Sequence, residues 1–480
     1  MSGARIDHIP RRAGRLAIAL AILGNLVFGS TPQLARAGTP PAKPNIVIVM
    51  SDDQRWDTMN GRYMPELTKI LAKNGVQMDQ AFVSNPLCCP SRVSTLTGRY
   101  SYTTGVYGND GTWGGYGAAQ SFGAMDDTIA TDLHADGYTT GLIGKYLNGY
   151  SPKRDYLTVP PGWDRWFEVR TGAYYDYNAA VDGVSVQRFG SAPNDYSTTV
   201  LLRQALSFVG SKSVAPFFLY FAPTAPHSPA IADPRDVGRF DADLATYPRP
   251  PSEQESDVAD KPAYIQAIPA SASAQSSHDA FHARQLAAIY GVDRAMGALW
   301  RALPSNTVVL FMSDNGYEWG EHRWAGKLVP YNESLRVPMA IASKGVDLSS
   351  IGPLGGSSER IALNVDVRPT LESFVGDLTP AVVDGEAWTG AQARSDFPIM
   401  HWNDPGKVPV YCGVRSADWM YVKYGDGFEE AYDERSDPFE LNNIAVTDPS
   451  DPQLATLRAA ASGYCVRQSG RVYPDGWPFP

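Results

Sequence analysis

Four short apolar runs, spread along the chain, restrict its fold more than any other feature. They are Asn45-Ile46-Val47-Ile48-Val49-Met50, Thr139 to Ile143, Pro216 to Phe221 and Val308 to Met312. Runs of this length, rich in β-branched and aromatic residues, read as strands buried on both faces. Between them lie stretches with helical spacing, over Pro65 to Asn74, Thr128 to Ala135, Tyr196 to Val209 and Asp279 to Leu303. Buried strands that alternate with amphipathic helices predict an α/β fold, a large, mostly parallel sheet flanked by helices. A chain of 480 residues, 43% hydrophobic and 19% charged, has the material for such a core.

The residues just past each strand are as informative as the strand itself. The first strand ends in Ser51-Asp52-Asp53-Gln54 and the second in Gly144-Lys145. The third ends in a proline-stiffened loop holding Pro226-His227, and the fourth in Ser313-Asp314-Asn315-Gly316. Open α/β sheets bind their ligands beyond the carboxyl ends of the strands. Taken alone, Asp52-Asp53 reads as a helix cap, Lys145 as a solvated surface lysine, and His227 equally as a structural or a catalytic histidine. Taken together, separate strands delivering polar residues at the same kind of end predict one active site, and hence an enzyme. Adjacent carboxylates are costly unless a cation joins them, and oxygen donors suit Ca²⁺ or Mg²⁺.

The N-terminus reads as a signal peptide over residues 1–37. Arg11, Arg12 and Arg15 precede an apolar run from Leu16 to Phe28, and Ala35-Arg36-Ala37 offers a cleavage site. That run is short for a membrane span and no later segment is long enough, so an exported chain, periplasmic or secreted, is expected. The whole chain carries a formal charge of −10, and the leader holds five arginines and one aspartate, so the remainder is more acidic still. An acidic body argues against nucleic acid as a partner, and it requires that an anionic substrate be drawn by a local cluster of cations. In an oxidising compartment Cys412 and Cys465, which have no metal-ligating neighbours, are expected to form a disulfide. The α/β domain is placed over 38–397, with a surface insertion over about 230–277. A C-terminal α+β unit over 398–480 is built from short antiparallel strands (Tyr411 to Val414, Trp419 to Tyr424, Glu430 to Asp433) and a helix, Pro452 to Ser462. The rings of Trp163, Trp166, Tyr174, Tyr175 and Tyr177 are available either to stack on sugars or to pack a loop.

The densest motif is Leu87-Cys88-Cys89-Pro90-Ser91-Arg92-Val93-Ser94-Thr95-Leu96-Thr97-Gly98-Arg99. It is expected to enter a helix near Pro90, with Cys88 at the helix N-terminus, a natural anion site. The stretch resembles the signature of the type I sulfatases, Cys-x-Pro-Ser-Arg followed by Leu-Thr-Gly-Arg. Without that resemblance Cys88 and Cys89 could be a buried structural pair. The resemblance extends to Asp52-Asp53, Gly144-Lys145, Pro226-His227 and Asp314-Asn315-Gly316, in family order. Several stretches, among them Leu87 to Pro90, Gly144 to Asn148 and Asp314 to Tyr317, look more particularly like N-acetylglucosamine-6-sulfatases and their bacterial relatives.

The resemblance implies an alkaline-phosphatase/sulfatase-like fold with a smaller C-terminal antiparallel sheet plus helix. It also implies that Cys88 is oxidised to formylglycine by a separate generating enzyme before folding, and that the hydrated aldehyde attacks sulfur. By the same resemblance Asp52, Asp53, Asp314 and Asn315 would hold Ca²⁺ (Mg²⁺ being compatible with the ligand types) in contact with residue 88. Arg92 would stabilise the aldehyde hydrate, Lys145 and Lys327 would clamp sulfate oxygens, and His227 would serve the sulfate or the leaving oxygen. One departure stands out: many sulfatases carry a histidine two residues after the first lysine, where this chain has Leu147 followed by Asn148. His322 is then a second candidate acid. The expected activity is sulfate-ester hydrolysis, with 6-sulfated N-acetylglucosamine as the leading substrate. A broad arylsulfatase, a phosphonate or phosphodiester hydrolase of the same superfamily, and a non-catalytic sulfoglycan-binding protein are the alternatives.

Overall fold

The computed structural model describes residues 43–211, 216–245, 247–376, 382–402 and 408–479, so the leader expected over 1–37 lies outside the described residues. The four apolar runs sit in the middle of a ten-stranded sheet. Its first eight strands in chain order are β1 (Asn45–Ser51), β2 (Gly75–Phe82), β3 (Thr139–Gly144), β4 (Arg165–Val169), β5 (Asn178–Val181), β6 (Ser185–Arg188), β7 (Phe217–Ala222) and β8 (Thr307–Ser313). A small hairpin comes next, β9 (Glu318–Trp319) and β10 (Ala325–Gly326), and then β11 (Met339–Lys344) and β12 (Ser357–Leu363) return to the sheet. The spatial order is β12-β2-β11-β8-β1-β7-β3-β4-β5-β6. Strands β8, β1, β7, β3 and β4 are mutually parallel, so their carboxyl ends open along one edge.

Every residue of β1 is buried, as expected for a strand covered on both faces. The two-residue period divides its side chains between two cores. Ile46, Ile48 and Met50 pack with Val93, Leu96, Ile129 and Leu133, from helices α1 and α2 of that face. Here α1 is Cys88–Thr97 and α2 is Ile129–Ala135. Val47 and Val49 meet Leu67 and Ile70 of the helix Pro65–Asn74, Val200 of Ser197–Val209 (α3) and Val292 of Ala272–Ala302 (α4). Each fully buried aliphatic side chain contributes about 1.5–3 kcal/mol of transfer free energy, which fixes the register of the central strands.

The structure departs from the sequence expectations in three places. Helix α4 begins at Ala272, not near Asp279, because Ser271 caps it by accepting the Ala274 N–H. Its first turns are Ala- and Ser-rich and lie on the surface, so they favour a helix without showing an apolar stripe. Of the two alternatives left open for the aromatic stretch, Trp166, Tyr174 and Tyr177 take packing, at 1%, 1% and 5% exposed. The signature helix starts at Cys88, two residues before the expected entry at Pro90. Lastly, the C-terminal sheet has one strand more than expected.

That sheet runs β13 (Asp396–His401), β14 (Tyr411–Ser416), β15 (Trp419–Tyr424) and β16 (Glu429–Asp433), antiparallel and in that order, with helix α5 (Pro452–Cys465) against it. Strand β13 carries a weak sequence signal because Pro398 interrupts it. An edge strand tolerates the missing N–H on its open side. The expected Cys412–Cys465 disulfide is present, with a Cα–Cα separation of 5.8 Å. It ties the second strand of the sheet, not the first, to the end of the closing helix. Among the described residues no helix is long and apolar enough to cross a membrane.

Candidate active site

The site is built where β1, β8, β3 and β7 end. Strands β1 and β8 pair in register through Ser51 and Ser313, so the residues after each arrive side by side. Beyond Ser51 the chain turns sharply, and Asp53 takes a φ of +62°, a conformation seldom held by a residue with a side chain unless its surroundings enforce it. The Asp53 N–H donates to Asp314 Oδ1 at 3.1 Å, and Asn315 Nδ2 donates to Asp53 Oδ1 at 2.8 Å. At the end of β3, Gly144 has a φ of +127°, and a Cβ there would fall 2.0 Å from the Ala222 carbonyl oxygen. That close approach lets Lys145 donate its N–H to Ala222 while its Nζ reaches both Asp52 oxygens, at 2.9 and 2.8 Å.

Helix α1 presents Cys88 at its first position and Arg92 one turn later on the same face. Arg92 donates through Nε to Asp314 Oδ2 at 2.8 Å and through Nη1 to the Lys145 carbonyl at 3.0 Å. The hairpin β9–β10 delivers Lys327, whose Nζ reaches Asp53 Oδ1 and the Cys88 sulfur. Cys88 is fully buried, with Asp52 Oδ1 at 3.7 Å and Asp53 Oδ1 at 3.9 Å from its Sγ. His227 completes the ring: its Nε2 lies 3.7 Å from Asp53 Oδ2, and its side chain remains 22% exposed. Asp52, Asp53, Cys88, Arg92, Lys145, His227, Asp314, Asn315 and Lys327 therefore meet at one point, although they span most of the described chain.

The charges of the cluster hold one another ionised. Burial works to raise the Asp52 carboxyl, but Lys145, His227 and Arg92 outweigh it and hold it down at about 2. Burial works to lower His227, yet Asp53 and Asp52 carry it up to about 9. Lys145 and Lys327 are raised in the same way, against burial, by Asp52 and by Asp53 respectively. Three carboxylates thus face Arg92, Lys145, Lys327 and a protonated His227, so positive charge is in excess even before a metal is added. Such a charge balance suits an anion.

The donor set also fits a hard divalent cation. Ligand atoms of Asp52, Asp53, Cys88 and His227 lie within 4.8 Å of one another. Asn315 contributes a buried amide oxygen with no hydrogen-bond partner, while its Nδ2 is engaged by Asp53 and by the Gly316 carbonyl. A buried acceptor left open beside three carboxylates is what an oxygen-coordinated cation would satisfy.

His322 does not belong to this ring. It is fully buried, with Nδ1 2.7 Å from Glu255 Oε2 and its ring 4.0 Å from that of Tyr331. Leu147 is a core residue, 2% exposed, so the departure from the common histidine leaves an apolar side chain behind Lys145 and not a second proton donor. Some supporting contacts were not legible in the sequence. Tyr174 donates its hydroxyl to the His227 carbonyl at 2.7 Å, and Gln54 takes the Ser51 hydroxyl at 2.7 Å. Gln285, a buried amide on the inner face of α4, could have been noticed as a polar residue in an apolar stripe.

With this geometry in view, comparison with known proteins is decisive about family. Residues 44–376 match the family described as Sulfatase. The chain belongs to the sulfatase family. This sulfatase also matches, over residues 320–460, the family described as N-sulphoglucosamine sulphohydrolase, C-terminal. It is 29% identical to an arylsulfatase of Volvox carteri, over 96% of this chain and 80% of that one. It is 28% identical to the N-acetylglucosamine-6-sulfatase of Homo sapiens, over 96% and 92% of the two chains. With the N-acetylglucosamine-6-O-sulfatase of Bacteroides thetaiotaomicron it shares 26% identity, over 84% and 82%. In three dimensions it resembles a protein solved in complex with its substrate D-glucosamine-2-N,6-O-disulfate, with a TM-score of 0.72, 23% identity, and coverage of 88% and 97%. The phosphonate monoester hydrolase of Agrobacterium radiobacter shares the fold at a TM-score of 0.66, 20% identity, and coverage of 90% and 100%. The sulfatase is a sulfuric ester hydrolase, and it is similar to N-acetylglucosamine-6-sulfatases of animals and bacteria.

Proposed function

We propose that this sulfatase is exported and removes sulfate from sulfated sugars, with 6-sulfated N-acetylglucosamine as its substrate, using formylglycine at position 88 and a bound Ca²⁺. One observation carries the reading: Cys88, at the start of a helix, sits in a cluster where oxygen donors for a cation and side-chain cations for an anion meet. Asp52, Asp53, Asp314 and Asn315 would hold the cation. Ca²⁺, when bound, supplies fixed positive charge against the sulfate and the residue-88 hydroxyls, and the aldehyde hydrate of formylglycine, made by a separate maturation enzyme, supplies the nucleophile.

The chain's own groups do the rest. Arg92 sits rigidly between Asp314 and the Lys145 carbonyl, so its guanidinium stays aimed at position 88 without reorganising. Lys145 and Lys327 clamp sulfate oxygens as negative charge builds. His227, charged and partly open to solvent, gives its proton to the leaving sugar oxygen. Removing any one of these contacts is expected to cost about 3–4 kcal/mol in the transition state. Export is supported by the Cys412–Cys465 disulfide, a bond that persists in oxidising compartments. The extracellular sulfatases of Caenorhabditis elegans and Drosophila melanogaster are also similar to this chain.

A second reading, an arylsulfatase, is favoured by the similarity to the Volvox protein. Both readings share the nucleophile and differ in the walls of the pocket. The test is sulfate release by protein co-expressed with a formylglycine-generating enzyme, using a 6-sulfated N-acetylglucosamine oligosaccharide, an aryl sulfate and an aryl phosphonate. Preference for the sugar, abolished by Cys88→Ala, is the expected result. Faster aryl sulfate turnover with no sugar cleavage would replace the substrate reading. Activity that survives Cys88→Ala would remove the mechanism.

A further inference from the structure

We infer that Gln285 is the positioning residue that locks the cation side and the acid side of the site into one geometry; this rests on the reading of Asp53 as a cation ligand and His227 as the acid. Gln285 lies on α4, 3% exposed, well away in sequence from every residue of the site. Its Nε2 donates to two backbone carbonyls, that of Asp53 at 3.3 Å and that of Pro226 at 3.4 Å. Its Oε1 accepts the indole N–H of Trp319 at 2.5 Å. One amide thus touches three separate segments: the turn after β1, the loop that carries His227, and the hairpin that carries Lys327.

The arrangement has one polarity only. A flipped amide would set Oε1 against two carbonyl oxygens and Nε2 against an N–H donor, so the network fixes the orientation. Trp319 cannot yield either, because its ring is held between the Arg55 guanidinium, 4.6 Å from its centroid, and the His282 ring at 3.3 Å. His282 lies three residues before Gln285 on the same helix, so both contacts to Trp319 come from one rigid element. The need for such a lock is local. Asp53 holds a positive φ, which persists only where neighbours over-determine it. Its N–H is fixed by Asp314 and its carbonyl by Gln285. Without the second anchor the peptide after Asp53 is held only through the Gln54 N–H, which donates to the Ser313 hydroxyl at 2.9 Å, and the carboxylate and the His227 loop lose their common reference.

The test compares wild type, Gln285→Met and Gln285→Glu, all carrying formylglycine. Methionine keeps the volume and removes the hydrogen bonds; glutamate keeps the shape and replaces the donor by an oxygen. Calorimetric titration with Ca²⁺ alone is expected to show affinity weakened about 10–100-fold in both variants, the range found for residues that orient metal ligands. At saturating Ca²⁺, kcat is expected to fall by about the same factor with KM changed less than about threefold. If the variants merely melt at lower temperature, with Ca²⁺ affinity and kcat as in wild type, Gln285 is a packing residue and the inference is overturned. If wild type itself takes up no Ca²⁺, the cation reading fails, and an intact kcat in the variants would then overturn the inference separately. Should Gln285→Met not fold, Trp319→Phe removes the N–H that orients the amide together with part of the ring against Arg55 and His282, and it is expected to shift both readouts in the same direction.

Discussion

Replacing Lys145 by methionine separates its observed pairing with Asp52 from its proposed hold on sulfate. Lys145 is 1% exposed and its Nζ lies 2.8 Å from Asp52 Oδ2, with Asp314 Oδ2 at 3.7 Å. At an effective dielectric of about 20, a pair at that shorter distance attracts by about 6 kcal/mol, offset by the cost of burying both ions. Removing one partner of a buried pair leaves the other unpaired and costs about 3–5 kcal/mol. The compact unit spans Ala42–Pro480, and at about 2.1 cal/mol/K per residue its unfolding entropy is near 0.9 kcal/mol/K. Lys145→Met is therefore expected to lower the melting temperature in EDTA by about 3–5 °C. In saturating Ca²⁺ the deficit is expected to shrink to less than half, because a cation among Asp52, Asp53, Asp314 and Asn315 takes over the missing charge. Sulfate release in the same Ca²⁺ is expected to fall about 10²–10³-fold, since no ion can replace an ammonium aimed at the substrate. Differential scanning fluorimetry in both buffers, beside a sulfate-release assay, measures all three. A deficit equal in EDTA and Ca²⁺ would refute the shared-charge reasoning, and normal turnover would refute the clamp.

His227 makes a prediction about pH. Its folded value of about 9 lies above the ordinary 6.5, so the bound proton stabilises the metal-free fold fully below about pH 6.5 and progressively less up to about 9. The stability of wild type over His227→Gln, from denaturant unfolding in EDTA, is expected to be about 3 kcal/mol greater at pH 6 than at pH 9.5. A difference that grows with pH would contradict the assigned neighbours. The disulfide closes a separation of 53 residues, worth about 4 kcal/mol by chain entropy. The double variant Cys412→Ser, Cys465→Ser is expected to melt about 2–4 °C lower and to keep its turnover at 25 °C, because the bridge lies in the C-terminal sheet and not in the site. Loss of turnover in a folded double variant would show that sheet to be coupled to the chemistry.

Much of the catalytic half was legible because the physics there is local. A strand such as Ile46 to Met50 announces itself through uniform burial on two faces, and the residues after it inherit a position from that strand. Cys88 and Arg92 came with a motif whose spacing is one helical turn. Lys327 was harder, since a two-residue hairpin has no periodicity to read. Strands β4 to β6 were hidden in an aromatic, polar stretch, where edge strands need no uniform apolar run: β6 is wholly exposed. Gln285 shows in the sequence only as a polar residue in an apolar stripe. Its importance comes from what it touches across 232 positions of sequence, and no local pattern encodes that.

The depth of Cys88 also sets a clock. Its sulfur is sealed in part by Lys327, which is made 239 residues later. At about 5–20 residues per second, a ribosome needs about 10–50 s to add that stretch. The parallel partner β8, without which β1 cannot be enclosed, arrives only shortly before Lys327. Any chemistry that must reach the sulfur from outside has this interval, while the first third of the sheet waits for the last of its central strands. After closure all ten residues of α1 are buried, so an enzyme that must grip that stretch of chain meets it only before closure or on unfolding.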